Sequence, residues 1–509
     1  MYYFELAAFI SYFVLVLGVG IFFFVKSKDK SEKDYFLGGR GMGGWVAALS
    51  AGASDMSAWV LMGLPGSILL YGLGKVWISI GLLIGTVCAW IFVAPKLRRY
   101  AIKADDAITI PQFLSNRFKA KSPVLRVSCA VIFVIAYCVY TASSLTACGE
   151  LFNLVLGMDK TLAMVIATVV IGIYTLLGGF NAVCWTDFFQ GMIMLAALMF
   201  VPIIALFVLN PANVVTPDNY YNLLSSGSFN WNSISDILSG LGWGLGYFGM
   251  PHILVRYMSI RSEKEMKKSQ IIGITWFVLI VFMATMVGII GHKYLGGTIP
   301  EKKEDTVFIM MVRKIFSYGA LALIGGFMLS AIVAAAMSTA DSQLLASSSS
   351  FSSDIYKIAI RKNASDKEML WVGRVAVAAV LIVALFIALN PNSGGIMDLV
   401  ESAWALFGAA FGPAILLSLF WRRFNYKGAV SSIITGFLVA VLWMFAFNSG
   451  DKSWIYNTRL YELVPGFIIG LVVAFVVSIC TKAPSKEITD LYDSIGKDIE
   501  ENGKEITAN

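Results

Sequence analysis

Apolar segments long enough to cross a lipid bilayer recur along almost the whole chain. A membrane-spanning helix needs about 20 mostly apolar residues, and about thirteen segments approach or exceed that length. They lie at roughly 5–25, 42–70, 75–95, 125–155, 160–180, 185–209, 233–257, 270–292, 317–347, 370–389, 397–421, 428–447 and 461–480. Only 14% of the 509 residues are charged, against roughly 25% in a soluble domain. The sequence therefore predicts an all-α integral membrane protein, with the lipid bilayer as its surroundings.

The basic residues are distributed unevenly between the loops. Cytoplasmic loops of membrane proteins carry an excess of Lys and Arg, and most of the 39 such residues here fall in or beside alternate loops. This pattern predicts a multi-pass protein of the cell membrane with its N-terminus outside and its C-terminus in the cytoplasm. Cytoplasmic loops facing anionic lipid also account for the net charge of +7, so we expect no nucleic-acid partner.

The second apolar segment is interrupted by polar and helix-breaking residues. Residues 50–66 read SAGASDMSAWVLMGLPG, with Asp55 near the centre. An ionisable side chain within the bilayer costs several kcal/mol and survives where it lines a cavity or binds something. Backbone groups released by a broken helix need partners for the same reason. Asp55 is therefore the first candidate functional residue.

The seventh segment is interrupted in a corresponding way. Residues 240–258 read GLGWGLGYFGMPHILVRYM, five segments after the first interruption. Broken helices at matching positions of two halves indicate a transporter built from inverted repeats, with its site near the bilayer midplane. We predict a first repeat at 42–210 and a second at 211–424. Residues 1–41 and 425–481 would be peripheral, and 482–509 a cytoplasmic tail.

The ninth segment offers hydroxyl groups that suit a sodium ion. Hard cations prefer oxygen ligands, and unwound carbonyls with neighbouring hydroxyls supply them within a membrane. Ser338 and Thr339 lie near the inner end of this segment, and Ser342 shares a helix face with Ser338 at a spacing of four residues. Asp341 lies close to that face. The alternative is that these hydroxyls only bond carbonyls of their own helix.

Aromatic residues beside the seventh-segment break are candidates for substrate contact. Trp243 and Tyr247 are four residues apart, which on an α-helix gives one aromatic face, and Pro251 would extend it. Tyr140 in the fourth segment is a further candidate. The alternative for such residues is membrane packing.

Asp187, near the start of the sixth segment, either reaches the Asp341 region or caps a helix at the interface.

The sequence lacks the motifs that mark several other classes of protein. The chain has no Gly-rich lysine loop of an ATP-driven pump, no Arg-rich voltage sensor and no TVGYG filter of a channel. It shows no nucleophile and base pair, so an enzyme is not expected. His252 and His292 have no metal-ligand neighbours at helical spacing. A sensor role is disfavoured because only about 28 residues follow the last segment, too few for a signalling domain.

Long motifs in the chain resemble the sodium/solute symporter family. They include YFLGGRGMGGWVAALSAGASDMSAWVLMGLPG, GWGLGYFGMPHILVR, LSAIVAAAMST and ESAWALFGAAFGP, and so run through most of the sequence. The resemblance implies a LeuT-type fold of thirteen spans with a five-plus-five inverted repeat. It implies sodium-coupled uptake of L-proline by alternating access. Another small solute, such as pantothenate, a monocarboxylate or a sugar acid, is the alternative.

The resemblance also assigns roles to residues. It implies a sodium site made by the carbonyls of Ala53, Met56 and Ala335 and the hydroxyls of Ser338 and Thr339. Residues matching positions linked to substrate or coupling are Ser57, Trp59, Gly63, Tyr140, Trp243, Tyr247 and Pro251. Arg40 matches a position linked to coupling, and Asp55 matches one linked to sodium binding.

One departure from the proline carriers of the family concerns the end of the ninth segment. Asp341 and Ser342 follow the Ser-Thr pair, where those carriers have less acidic residues. With Asp187 and Ser338 they form a candidate second cation site. The ion stoichiometry is therefore left open.

Overall fold

The computed structural model describes residues 2–26, 32–177, 179–211, 214–295, 299, 303–448 and 456–501. Regular structure in these ranges is helical, apart from an isolated parallel bridge between Met42 and Ile260. Residues 27–31 of the predicted peripheral segment 1–41 and residues 502–509 of the predicted tail lie outside the described residues.

The α-helices of the first part of the chain are α1 (Tyr2–Lys26), α2 (Glu32–Leu37), α3 (Gly44–Asp55), α4 (Gly63–Tyr71), α5 (Val76–Cys88), α6 (Ala94–Lys103), α7 (Ile110–Arg117), α8 (Val124–Leu156), α9 (Lys160–Leu177) and α10 (Phe180–Val208). Those of the second part are α11 (Trp231–Gly242), α12 (Pro251–Ser259), α13 (Glu263–Leu295), α14 (Val307–Ile315), α15 (Leu321–Ser349), α16 (Asp366–Leu389), α17 (Ile396–Phe420), α18 (Tyr426–Ala446), α19 (Leu463–Cys480) and α20 (Lys486–Glu501).

Each predicted segment coincides with one of these helices or with a pair separated by a break. Among the described residues, 10 helical stretches are long and apolar enough to cross a membrane. Within the predicted tail, α20 packs against α6, where Tyr492 contacts the ring of Tyr100.

Helix α15 lies in the centre of the bundle. It packs against α1, α3, α8 and α10, and its small residues from Ala331 to Ala336 are buried. Small side chains let helices approach closely in a membrane, where packing drives helix association. Large apolar side chains such as Phe207 and Phe386 are exposed on outer helices, as expected for a lipid-facing surface. The centre of the bundle is thus where α15 meets the end of α3.

Candidate functional site

The second membrane span is broken where its sequence carries Asp55. Helix α3 ends at this residue, and Met56 and Ser57 leave the helical conformation with ψ angles of 71° and −172°. The Ser57 hydroxyl accepts a hydrogen bond from the N–H of Trp59 and begins a short 3-10 turn, a role for which Ser is favoured. The predicted interruption is a true break, and it releases carbonyls from the helical ladder.

Two hydroxyls of α15 face the last turn of α3. Ser338 donates a hydrogen bond to the carbonyl of Ala53 over 2.8 Å, and the Thr339 hydroxyl lies 3.4 Å from the same oxygen. The Ser338 hydroxyl also lies 3.2 Å from the carbonyl of Ala335. These contacts join four of the five residues predicted to bind sodium, namely Ala53, Ala335, Ser338 and Thr339. Met56 is buried at the break itself.

The Asp55 side chain connects the two broken spans. The Tyr247 hydroxyl donates a hydrogen bond to Asp55 Oδ2 over 2.5 Å. Trp59 Nε1 and the Tyr140 hydroxyl each lie 3.3 Å from the Asp55 carbonyl oxygen. Asp55 Oδ1 has no partner among the described residues. A cavity of about 10 Å³ beside it, lined also by Thr86, has space for about one water.

The seventh span is broken between α11 and α12, and its aromatic residues lie in the break. Residues 243–248 form a 3-10 helix, which has three residues per turn. Residues four apart therefore do not share a face, and the prediction of one aromatic face for Trp243 and Tyr247 is wrong. Both rings instead contact Trp404 of α17, with centroids at 6.2 Å and 5.2 Å. The ring of Trp59 lies 6.2 Å from that of Trp243.

A glycine makes this packing possible. A Cβ at Gly246 would lie 1.9 Å from Trp404 Nε1, so a larger residue there would displace the indole. Trp404 Nε1 donates a hydrogen bond to the Trp243 carbonyl over 2.8 Å. The 3-10 segment and α17 are thus joined by both ring contacts and a backbone bond.

Two further candidate residues begin the second halves of the broken spans. Gly63 is the first residue of α4, and a Cβ there would lie 3.4 Å from the sulfur of Met397. Pro251 is the first residue of α12, a position that suits proline because its missing N–H would have no helical partner there. Both residues are buried. The candidate substrate residues therefore surround the two breaks.

A second buried polar cluster lies around Asp187. Arg256 Nη2 and Asp187 Oδ2 form a buried ion pair at 2.9 Å, and Ser50 bonds both side chains over 2.7 Å. The Ser342 hydroxyl accepts from Arg256 and lies 3.3 Å from Asp341 Oδ1. It is also 3.5 Å from Asp187 Oδ2. The predicted proximity of Asp187 to the Asp341 region is thus observed.

The interpretation of Asp187 as a helix cap is wrong, because α10 begins seven residues earlier at Phe180. Within the described part of the chain, Asp187 Oδ1 and Asp341 Oδ2 have no partner. Arg256 pairs with Asp187, whereas Asp341 forms no ion pair with a described residue.

Sequence reasoning missed Arg256 and Trp404. A basic residue within an interrupted apolar segment is a signal that could have identified Arg256, because a buried charge needs a partner. Trp404 lies in an ordinary apolar helix, and its contact with the 3-10 segment could not be read from residue spacing.

Arg40 lies away from these clusters, at the end of the bundle where α3 begins. Its guanidinium donates to Asp106 Oδ1 over 2.8 Å, to the Met258 carbonyl over 2.5 Å and to the Ala107 carbonyl over 2.7 Å. The side chain is buried. Arg40 thus fastens the end of α12 to the segment after α6, and does not contact the candidate sodium or substrate residues.

Several known proteins are similar to this chain over most of its length. The model of the sodium:solute symporter family matches residues 35–436. The chain is 42% identical over 488 residues to the osmoregulated proline transporter OpuE of Bacillus subtilis (strain 168), covering 96% of each chain. It is 44% identical over 481 residues to the high-affinity proline transporter PutP of the same strain, covering 92% of this chain and 97% of the relative.

A further relative is the sodium/proline symporter of Staphylococcus aureus (strain JH9). It is 40% identical over 492 residues, which cover 94% of this chain and 93% of the relative. The likeness to these three proteins extends over nearly the full length of each.

A solved structure of similar fold is the substrate-bound outward-open state of a Na⁺-coupled sialic acid symporter. It has a TM-score of 0.76 and 20% identity, and it covers 95% of this chain and 99% of that one. At this identity the likeness concerns the fold alone. The predicted all-α membrane bundle of LeuT type is confirmed, whereas the count of thirteen spans stays a prediction.

Proposed function

Because the chain belongs to the sodium:solute symporter family, we propose that it couples the entry of Na⁺ to uptake of L-proline by alternating access. The observation that supports this most directly is the contact of Ser338 and Thr339 with the Ala53 carbonyl. Oxygens from a broken span and from a neighbouring helix lie close together in this contact, and such oxygens suit a dehydrated Na⁺.

The proposed sodium site consists of the carbonyls of Ala53, Met56 and Ala335 and the hydroxyls of Ser338 and Thr339. An ion there would be bound by both α3 and α15. Sodium binding would therefore favour the conformation in which the second-span break is ordered. A ligand shifts an equilibrium only by its different affinity for the two states, so this ordering is what would couple sodium to the substrate pocket.

The proposed proline site lies between the two breaks. A zwitterion needs hydrogen-bond donors for its carboxylate, acceptors for its ammonium and an apolar wall for its ring. Helix N-termini attract anionic groups, and α4 and α12 begin at Gly63 and Pro251. Aromatic faces suit a cationic ammonium. The residues assigned to this site are Ser57, Trp59, Gly63, Tyr140, Trp243, Tyr247 and Pro251.

The cluster around Asp187 supports a second cation site as a further part of this proposal. The ligands would be oxygens of Asp187, Ser338, Asp341 and Ser342. Arg256 already pairs with Asp187, so a bound cation would balance the negative charge of Asp341. Asp55 and Arg40 would act in coupling, Asp55 by joining the broken spans and Arg40 by closing one end of the bundle.

The protein is a multi-pass membrane protein by family and by its apolar helices. We further propose that its N-terminus lies outside the cell and its C-terminus in the cytoplasm. In this orientation, the end that carries Arg40 faces the cytoplasm. The proposed inverted repeats are residues 42–210 and 211–424, with peripheral segments at 1–41, 425–481 and 482–509.

Uptake of labelled proline into proteoliposomes tests the proposal. Sodium, lithium and proton gradients are imposed one at a time, and the expected result is uptake that depends on the sodium gradient. Uptake driven by a proton gradient alone would contradict the ion assignment. Competition by pantothenate, lactate and a sugar acid tests the substrate, and displacement of proline by one of these at lower concentration would favour that solute.

A further inference from the structure

The small cavity beside the second-span break also reaches α5. Its volume is about 10 Å³, which is enough for about one water molecule. The side chains in its lining that carry oxygen atoms are those of Asp55, Thr86, Tyr247 and Tyr257, and they are buried. The other lining residues are mostly apolar, namely Ala48, Ala51, Gly52, Trp90, Ile253, Gly273 and Phe277.

The Thr86 hydroxyl is available to this cavity because its own helix does not use it. Threonine hydroxyls in helices often bond the carbonyl one turn earlier, and those of Thr146, Thr168 and Thr285 do so in this structure. Thr86 Oγ1 has no hydrogen-bond partner among the described residues, and the same is true of Asp55 Oδ1. Two buried oxygens without partners therefore line one cavity, and a buried polar group without a partner carries a free-energy cost.

A close contact between glycines brings Thr86 to this cavity. A Cβ at Gly85 of α5 would lie 2.2 Å from the carbonyl oxygen of Gly244 in the 3-10 segment, and small residues allow such an approach between membrane helices. Thr86 follows Gly85 in the sequence, and Tyr247 lies one 3-10 turn after Gly244. The same contact therefore brings the side chains of Thr86 and Tyr247 to the cavity.

We propose that one water molecule occupies this cavity and bridges Thr86 Oγ1 to Asp55 Oδ1, which makes Thr86 a positioning residue for sodium coupling. The Tyr247 hydroxyl donates to Asp55 Oδ2 and can still accept a hydrogen bond from the water. The water then has three partners, the usual number for a buried water. The inference rests on the proposed function, because it assumes that Asp55 acts on the sodium site.

This water would join three membrane spans at one point. Asp55 ends α3, Tyr247 lies in the 3-10 segment and Thr86 belongs to α5. Both oxygens of the Asp55 carboxylate are then bonded, so the last turn of α3 keeps the position in which the Ala53 carbonyl meets Ser338. Loss of the Thr86 hydroxyl should therefore weaken sodium binding although Thr86 is neither a proposed sodium ligand nor a proposed substrate residue.

The sodium dependence of labelled proline uptake into proteoliposomes tests the role of Thr86. Thr86→Val keeps the shape of the side chain without the hydroxyl. It should raise the sodium concentration for half-maximal uptake about tenfold, as expected for a lost hydrogen bond to a charged group. Thr86→Ser should stay within about twofold of wild type, because a serine hydroxyl can hold the same water. Thr86→Ala leaves space for a second water in place of the hydroxyl, so its increase should be smaller than that of Thr86→Val.

The order of these variants distinguishes a bound water from simple packing. If Thr86 only filled space, Thr86→Val would be the variant most like wild type and Thr86→Ala the least, and that order would overturn the proposal. Thr285→Val is the matched control, because the Thr285 hydroxyl lies 3.0 Å from the Ser79 hydroxyl of α5 and neither residue lines the cavity. It should leave the sodium dependence unchanged. An equal rise in this control would also overturn the proposal, because any loosening of α5 would then be sufficient.

Thermal unfolding of the purified variants in detergent tests the water without transport. Thr86→Val deprives the water of one partner and should lower the melting temperature more than Thr86→Ala does, whereas Thr86→Ser should unfold near the temperature of wild type. The reverse order of the valine and alanine variants would overturn the proposed water. If the expected order is found but uptake by wild type does not depend on sodium, the proposed function is wrong and the water is still supported.

Discussion

The Tyr247 hydroxyl donates a hydrogen bond to Asp55 Oδ2 over 2.5 Å and so joins the two broken membrane spans. Asp55 ends α3, and Tyr247 lies in the 3-10 segment that replaces the middle of the seventh span. The bond fixes the last turn of α3, whose Ala53 carbonyl meets Ser338. Two hydrogen bonds and the last turn of α3 therefore connect Tyr247, a proposed substrate residue, to the proposed sodium site.

Removing the Tyr247 hydroxyl should weaken sodium binding. In Tyr247→Phe, Asp55 would lose the described partner of its carboxylate, and a buried polar group without partners costs roughly 1–3 kcal/mol. We expect the sodium concentration for half-maximal proline uptake to rise about tenfold, the factor that corresponds to about 1.4 kcal/mol. Tyr220→Phe is the control, because Tyr220 bonds the Ile68 carbonyl away from the breaks. Unchanged sodium dependence in Tyr247→Phe would contradict the coupling role.

Two serines of α15 should differ in their effect on the sodium dependence of uptake. Ser338 bonds the Ala53 carbonyl of another helix, whereas Ser330 on the same helix is buried and bonds the Gly326 carbonyl of its own helix. Ser338→Ala should raise the sodium requirement of uptake at least tenfold, because one sodium ligand is lost. Ser330→Ala should leave it within about twofold, since the Ser330 hydroxyl bonds only its own helix and is not a proposed sodium ligand. Equal effects of the two substitutions would argue against the sodium site.

The break in the second span could be predicted from residues that are close together in the sequence. Asp55, the serines and the glycines of residues 50–66 carry a free-energy cost in lipid that does not depend on distant contacts. The structure has the break among these residues. The hydroxyls of α15 could be found in the same way.

Contacts that depend on packing could not be predicted. The i, i+4 argument for Trp243 and Tyr247 assumed an α-helix, and the observed 3-10 helix depends on the close approach of Gly246 to Trp404. The partner of Asp187 is Arg256, 69 residues away. Neither contact follows from the spacing of residues along one segment.

The Asp187–Arg256 pair should show strong coupling in stability. Breaking a buried ion pair by removing one partner costs about 3–5 kcal/mol, whereas replacing both partners by apolar residues is often nearly neutral. Asp187→Leu and Arg256→Met should each lower the melting temperature of the purified protein strongly, and the double variant should recover much of the loss. The measurement is thermal unfolding in detergent. Additive losses in the double variant would show that the pair does not act as a unit.

Arg40 should control how firmly its end of the bundle is closed. Its planar guanidinium bonds one carboxylate and two carbonyls at once, and a lysine cannot reproduce that geometry. In Arg40→Lys we expect amides near Ile260 to exchange hydrogen for deuterium faster than in wild type. The control is Arg422→Lys, at an exposed pair with Asp493. Unchanged exchange near Ile260 would contradict the closing role.

Asp305 should make the stability of the protein fall as pH rises from about 4 to about 6. Burial raises the pKa of its carboxyl to about 6, assisted by the nearby carboxylates of Asp398, Glu304 and Glu150. The pKa of an Asp in an unfolded chain is about 3.9. Between these two values the unfolded chain releases a proton that the folded chain keeps. The contribution of Asp305 is therefore fully present below about 4 and is lost as pH rises through about 6.

Asparagine at this position cannot ionise, so Asp305→Asn should remove the pH dependence that Asp305 causes. The melting temperature of the variant should exceed that of wild type at pH 7.5, and the difference should shrink by pH 4.5. Asp218→Asn, at an exposed carboxylate, serves as the control for a general change of charge. A difference of equal size at both pH values would show that packing, and not the ionisation of Asp305, determines the effect.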